Sequence, residues 1–500
     1  MFKELELNQE NIIKLILGFA FSVVVYSTLS YSLAPFVYLI IAIVTSFIIT
    51  YVLPGKKIWG VFVVLISVLG AAYFAVPPQP PVFDEIPSFM VYFFLLERQA
   101  VMLSFILPAL IGLLGGLLGW GMAWTLKPYK KIIKIATYLL LVLFVLNFVF
   151  FIIDLNPSTY GLISEEPGDY NYNNLNSVYL KTFYLMKKGD DFYDAFQYAQ
   201  SRMSEPTTIM NRSRLWIMPV VFYLWKIFLP PNGFYIFYLY LLFSVIVFYL
   251  TFQVARAHLP PPINLVPVFS VSYIFYFGAL AFWFAFPEYW GLFFLFIALF
   301  GIYKENKLLS VAGLTMAVLV FPVYLIPVAL FAIFTMFVKK DWRRFLFLIP
   351  LIAFAIVFFI HYQILSAYVQ EISPGKIWFN INLPEFYKTV FFGRIMVARP
   401  MVSLIFVIIM AVLALRNLVK TYWGRFLIIL ALVIPEILFF FNFGLNKYYL
   451  GLTYMPFVSV AACFIWNFSE EDTYAPQLEP DQPGEPDEKN PDEVADAAGN

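Results

Sequence analysis

Eight carboxylates sit in one polar stretch of an otherwise greasy chain: Asp154, Glu165, Glu166, Asp169, Asp190, Asp191, Asp194 and Glu205. A carboxylate can take a proton from a nucleophile, hold a cation or cap a helix, and its surroundings decide which. Asp169 is the candidate general base. It follows Pro167–Gly168 and precedes a helical segment, so a tight turn holds it ahead of that segment. Asp190, Asp191 and Asp194 stand at the start of a second helical segment, where free backbone N–H groups and the helix dipole favour acids. That structural role competes with catalysis for these three. A second acidic pair, Asp84–Glu85, lies among prolines earlier in the chain. Acids in a loop leave room for a divalent cation, but no spacing demands one, and the metal content is left open.

These acids are positioned by helices. Of the 500 residues, 62% are hydrophobic and only 13% charged, against about 25% charged in soluble domains, which makes the chain an integral membrane protein. A net charge of +1 gives no case for nucleic-acid binding. One cysteine, Cys463, excludes an internal disulfide, and His258 and His361 are the two histidines, too few for a histidine-rich metal site. No cleavable signal peptide is evident, because one long apolar run is followed at once by another.

Apolar runs that read as approximate membrane spans fall at 12–32, 34–53, 58–77, 101–125, 132–153, 233–255, 263–286, 289–303, 308–321, 323–338, 345–366, 400–415, 425–443 and 448–467, the two within 308–338 being short and dependent on a turn near Phe321 and Pro322. The fold expected is an all-α polytopic membrane protein of roughly 13–14 transmembrane helices with an outer loop of amphipathic helices. Lysine and arginine clusters at Lys56/Lys57, Lys127–Lys134, Lys304/Lys307, Lys339–Arg344 and Arg416–Arg425 are all cytoplasmic if both termini are. The loop after Asp154 then faces outward, as do 78–100, 367–399 and the turn from Asn442 to Lys447. Residues 216–229 resemble a span, but counting them as one inverts everything downstream. With Pro219 and Lys226 inside and Trp216 and Trp225 as interface residues, they read as a surface or re-entrant helix.

Inside the loop, Leu175, Val178, Tyr179, Thr182, Phe183 and Met186 recur at helical spacing, with Asn173 or Asn174 to cap the start and Lys187, Lys188 and Gly189 at the end. Phe192, Ala195, Phe196, Ala199 and Met203 share one face of a second helix. Within the spans, Glu436 after Pro435 and His361 near an outer end are costly ionisable groups, marked for pairing or function. The glycines of GLLGGLLGWG (112–121) read as close helix packing. Residues 468–500, rich in Pro, Asp and Glu, read as a disordered acidic cytoplasmic tail.

The order of these pieces resembles the GT-C class of membrane glycosyltransferases, which includes protein O-mannosyltransferases and aminoarabinose transferases. The stretches that carry it are GDYNYNNLNSVY (168–179), KKGDDFYDAFQYA (187–199), RLWIMPVVFYLWKIFLP (214–230), FYLTFQVAR (248–256) and KYYLGLTYMPFVSVAA (447–462). Residues 132–467, with the outer loop 154–231, would be the GT-C-like core, and 1–131 an N-terminal addition of further spans. The chain departs from the family in lacking an Asp-Glu pair after the span at 132–153, which leaves Asp169 as the nearest match, with Asp84, Glu85, Asp190, Asp191 and Asp194 as alternatives.

The resemblance implies an inverting transfer of a sugar from a polyprenyl-phosphate donor to a lipid, glycan or protein acceptor on the outer face. Asp169 would take the acceptor's proton. Arg394, Arg399, Lys447 and Lys376 would hold the departing phosphate, the arginines best because guanidinium binds phosphate oxygens bidentately. Tyr170, Tyr172, Tyr193, Trp216 and Trp378, with Glu436 and His361, would line the substrate site. Two other classes compete. A transporter or lipid-glycan flippase would place Glu436 and His361 along a central path, and a non-catalytic complex subunit would gather no polar site.

Overall fold

The computed structural model describes residues 43–47, 61–65, 110, 113–122, 130–154, 175–201, 218–259, 261, 263–280, 283–338, 342–368, 414–420, 424–430, 457 and 460–464. The chain divides into two units, Met1–Trp466 and Asn467–Asn500, and every described residue belongs to the first. It is all-α, with no strand among the described residues.

The long elements are α1 (Lys130–Asp154), α2 (Leu175–Lys188), α3 (Phe192–Ser201), α4 (Val220–Phe228), α5 (Gly233–His258), α6 (Val266–Leu280), α7 (Pro287–Tyr303), α8 (Lys307–Val320), α9 (Leu325–Val338) and α10 (Ile349–Tyr368). The segments Gly233–His258 and Arg344–Tyr368, with mean hydropathies of 2.1 and 2.5, are long and apolar enough to cross a membrane. Leu113–Met122, Ile133–Leu146, Pro287–Tyr303, Lys307–Val320 and Pro322–Phe337 are shorter apolar helices.

Local chemistry sets the breaks. Asn232 caps α5 by accepting the Phe234 N–H at 2.8 Å, and Asn306 caps α8 by accepting the Leu309 N–H at 3.0 Å. Pro287 opens α7 at a position where its missing N–H costs nothing. Phe321 is extended and Pro322 follows, so α8 ends there and a single 3₁₀ turn, Pro322–Tyr324, leads into α9. The apolar run expected at 263–286 is broken more than its sequence suggests. It holds a 3₁₀ turn at Ile263–Leu265, then α6, then another turn at Trp283–Ala285. The run at 345–366 likewise begins with a 3₁₀ stretch, Trp342–Leu348.

Small residues let the helices close on one another. A Cβ on Gly313 would lie 2.8 Å from the Ala298 backbone nitrogen, so α7 and α8 pack backbone to backbone. Gly119 does the same against the described piece 43–47, where an added Cβ would meet Ile43 O and Phe47 N at 2.9 Å, and Ser46 donates to Gly116 O at 3.0 Å. The glycine stripe thus packs helices, as its spacing predicts.

The helix ends gather in two places. At one end, His258 lies against Tyr303 and Phe464, Asn417 donates to Phe464 O, and Arg344 donates to Met336 O. At the other, which we call the loop end, α2, α3 and α4 lie on the ends of α7 and α10 and on the turn between α6 and α7. Between them the helix flanks are apolar and open: Ile352, Ile356, Phe359 and Ile360 on α10 are each more than half exposed.

Candidate functional site at the loop end

The loop end is built from two short amphipathic helices and their closing turn. In α2, Val178, Tyr179, Thr182, Phe183 and Met186 are buried, the face expected from their spacing. Gly189, at φ +120°, takes a backbone conformation that side chains disfavour. It donates to Met186 O while Asp190 N–H reaches back to Leu185 O, so the helix ends in a Schellman turn. The chain then starts α3 at once, burying Phe192, Ala195, Phe196 and Ala199. The 9-residue α4 spans only about 14 Å, too short to cross a bilayer of about 30 Å. It buries Val221, Phe222 and Trp225 and leaves Ile227 and Phe228 exposed.

Aromatic rings weld these pieces together. Tyr179 meets Phe196, Phe222 and Phe286, Phe222 meets Phe192 and Trp225, and Trp225 meets Trp290 of α7 at 5.3 Å between ring centres. Lys187 donates to Lys226 O, and Lys226 donates to Asp190 O at 3.4 Å.

The acids are sorted by this packing. Asp191 is the N-cap of α3: one oxygen accepts the Tyr193 N–H at 3.2 Å and the other the Tyr223 phenol at 2.9 Å. Asp194 accepts the Tyr368 phenol of α10 at 3.0 Å and is otherwise open to solvent. Asp190 is exposed, and its carbonyl rather than its carboxylate takes Lys226. Tyr193 is buried, its hydroxyl 2.9 Å from His361 Nδ1, and its ring lies roughly parallel to those of His361 and Tyr368, 5.7 Å from each between ring centres. Burial, and then the neighbouring Tyr223, Asp191 and Tyr368, push the Tyr193 phenol up. Burial and then the bond to Asp191 push Tyr223 up to about 12. Both shifts favour the protonated phenol.

One functional candidate escaped the sequence reading. Glu288 lies in the first turn of α7, next to Pro287. The residue is partly exposed, but its Oε2 is sealed and has no hydrogen-bond partner. Tyr179, Tyr289 and Tyr324 lie within reach of its charge. Burial first, and Glu288 second, push the Tyr179 phenol well up. The hydroxyl of the wholly buried Tyr289 and the indole Nε1 of Trp225 are also without partners. The signal was available as a lone acid in FPEYWG (286–291), a turn with nothing else charged in it.

Asp169, Asp84, Glu85, Arg394, Arg399, Lys376, Lys447, Tyr170, Tyr172, Trp216, Trp378 and Glu436 lie outside the described residues. Of the expected site residues, the described ones, Asp190, Asp191, Tyr193, Asp194 and His361, all come together at the loop end. His361 bonds to the loop there, through the Tyr193 hydroxyl. Among the described residues no group of three or more His, Cys, Asp or Glu is placed to hold a metal ion. Comparison of the chain with protein-family models, with curated proteins and with solved structures finds no match.

Proposed function

We propose that this chain is a polytopic membrane glycosyltransferase that moves a sugar from a polyprenyl-phosphate donor to an acceptor on the outer face. The observation that carries the reading is the two-layer loop end. Amphipathic helices α2, α3 and α4 cap an apolar bundle and concentrate acids and aromatic rings on one side of it. The membrane part is supported by α10, a helix of high hydropathy whose exposed flank carries Ile352, Ile356, Phe359 and Ile360. Monomeric soluble proteins rarely leave so contiguous an apolar surface to water. Orientation is supported by basic residues: Arg256, Lys304, Lys307, Arg344, Arg416, Lys420 and Arg425 border the end opposite the loop, the cytoplasmic side by the positive-inside rule.

In this reading Asp169 takes the proton of the acceptor hydroxyl as the anomeric carbon is attacked, and Arg394 and Arg399 neutralise the departing lipid phosphate. Asp191 is ill suited to the role of base, because both its oxygens already accept hydrogen bonds that hold the fold. The test is transfer of radiolabelled sugar from polyprenyl-phosphate donors by purified protein, wild type beside Asp169→Asn. Transfer by the wild type alone is expected. Equal transfer by both would move the base elsewhere, and no transfer across a broad donor panel would reject the enzyme class.

A further inference from the structure

Helix lengths set the level of the loop end in a bilayer. α7 has 17 residues and α8 has 14, so they rise only about 26 Å and 21 Å, against a hydrocarbon core of about 30 Å. Backbone contact keeps the pair from sliding to gain length: a Cβ on Gly301 would lie 2.7 Å from Ser310 N, and one on Gly313 2.8 Å from Ala298 N. Their basic turn, with Lys304 and Lys307, belongs to the end opposite the loop, so the shortfall comes at the loop end. There Trp225 of α4 meets Trp290 of α7 at 5.3 Å, and Tyr179 of α2 meets Phe286, the N-cap of α7, at 5.2 Å. One layer of helix, about 10 Å across, makes up the missing depth. α10 gives the same level independently. Its 20 residues rise about 30 Å, and α3 stands beside its last two turns rather than beyond its end. Tyr193 meets His361 at 2.9 Å, and Asp194 meets Tyr368, the last residue of α10, at 3.0 Å.

We propose that the α2–α4 layer is set into the outer leaflet rather than standing above it, with Ile227, Phe228, Tyr235 and Tyr238 as its contact face for phospholipid at headgroup level. The proposal rests on the membrane reading of the chain. Ile227 and Phe228, at the end of α4, are 70% and 73% exposed, and Tyr235 and Tyr238, in the first turns of α5, are 46% and 50% exposed. Tyrosines with an apolar ring and a polar tip favour the headgroup level, and α5 enters the bilayer from there. The sequence assigns the interface role to Trp225, but that residue is 1% exposed and packs inward on Trp290, so these four side chains take it over.

The test is a depth measurement by fluorescence quenching on the full-length protein in phosphatidylcholine nanodiscs. Ile227→Cys carries a nitrobenzoxadiazole label, and Ile356→Cys on α10 carries the same label as the reference for a spanning helix. Wild type, whose Cys463 is buried, is the blank. Both labelled positions are more than half exposed, so the substitutions leave the core untouched, and Tyr235→Cys is a second reporter on the proposed face. Doxyl-phosphatidylcholine places the quencher either near the headgroup or deep in the acyl chains. The label at 227 should be quenched about twofold or more better by the shallow quencher, and the label at 356 better by the deep one. Quenching at 356 with none at 227 or 235 overturns the proposal alone, because the layer then stands clear of lipid. Stronger quenching at 227 by the deep quencher overturns it too, because α4 is then re-entrant. No quenching at 356 overturns the membrane reading itself, and the proposal with it.

Discussion

Asp191 serves two masters: it caps α3 through the Tyr193 N–H and anchors α4 through the Tyr223 phenol. Asp191→Ala should lower stability by about 1–2 kcal/mol, the usual cost of losing such a cap, while Asp191→Asn keeps an accepting oxygen and loses less. Thermal melting in detergent would separate the two, and transfer activity retained in Asp191→Asn would confirm that the residue is structural. The Tyr193–His361 bond is a separable unit. Tyr193→Phe and His361→Phe each break it and leave the other residue's buried polar atom without this bond. A double-mutant cycle should return a coupling of about 1 kcal/mol. Zero coupling would mean that the rings hold the contact by stacking alone.

At the scale of elements, the short helices of the loop were readable because they are amphipathic. Val178, Tyr179, Phe183 and Met186, then Phe192 and Phe196, repeat at a period that only a helix satisfies, and all are buried. Gly189 was readable as the stop, since no other residue fits its positive φ cheaply. Gly189→Ala should cost about 1 kcal/mol and speed proteolysis between α2 and α3. Phe222, wholly buried between Tyr179, Phe192 and Trp225, is the pin of the layer, and Phe222→Ala should cost about 3–5 kcal/mol. The bundle helices were readable as elements but not as partners. In α6 and α7 apolar side chains run all round, so no stripe announces which face meets a neighbouring helix. The 3₁₀ breaks at Ile263–Leu265 and Trp283–Ala285 had no strong mark either, because a continuous apolar run looks the same whether its helix is whole or interrupted. Glu288 could be seen in the sequence as an isolated acid, but its companions Tyr179 and Tyr324 reach it only through the fold.

At the scale of the whole molecule, the arrangement predicts sidedness. In a Cys463→Ser background, Phe228→Cys at the exposed tip of α4 should react with a membrane-impermeant maleimide applied from outside intact cells. Leu308→Cys, at the opposite end and 82% exposed, should react only after permeabilisation. Labelling of both from one side would overturn the reading of α4 as a surface helix. The same architecture has a timetable. Tyr193 and His361 are 168 residues apart in sequence, and Asp194 and Tyr368 are 174 apart. At a synthesis rate of about 5–20 residues per second, α3 emerges about 10–30 s before the helix that anchors it. During that wait Tyr193 and Asp194 have no α10 to bond to. A nascent chain arrested before residue 349 should carry a protease-sensitive α3, and release of the complete α10 should protect it.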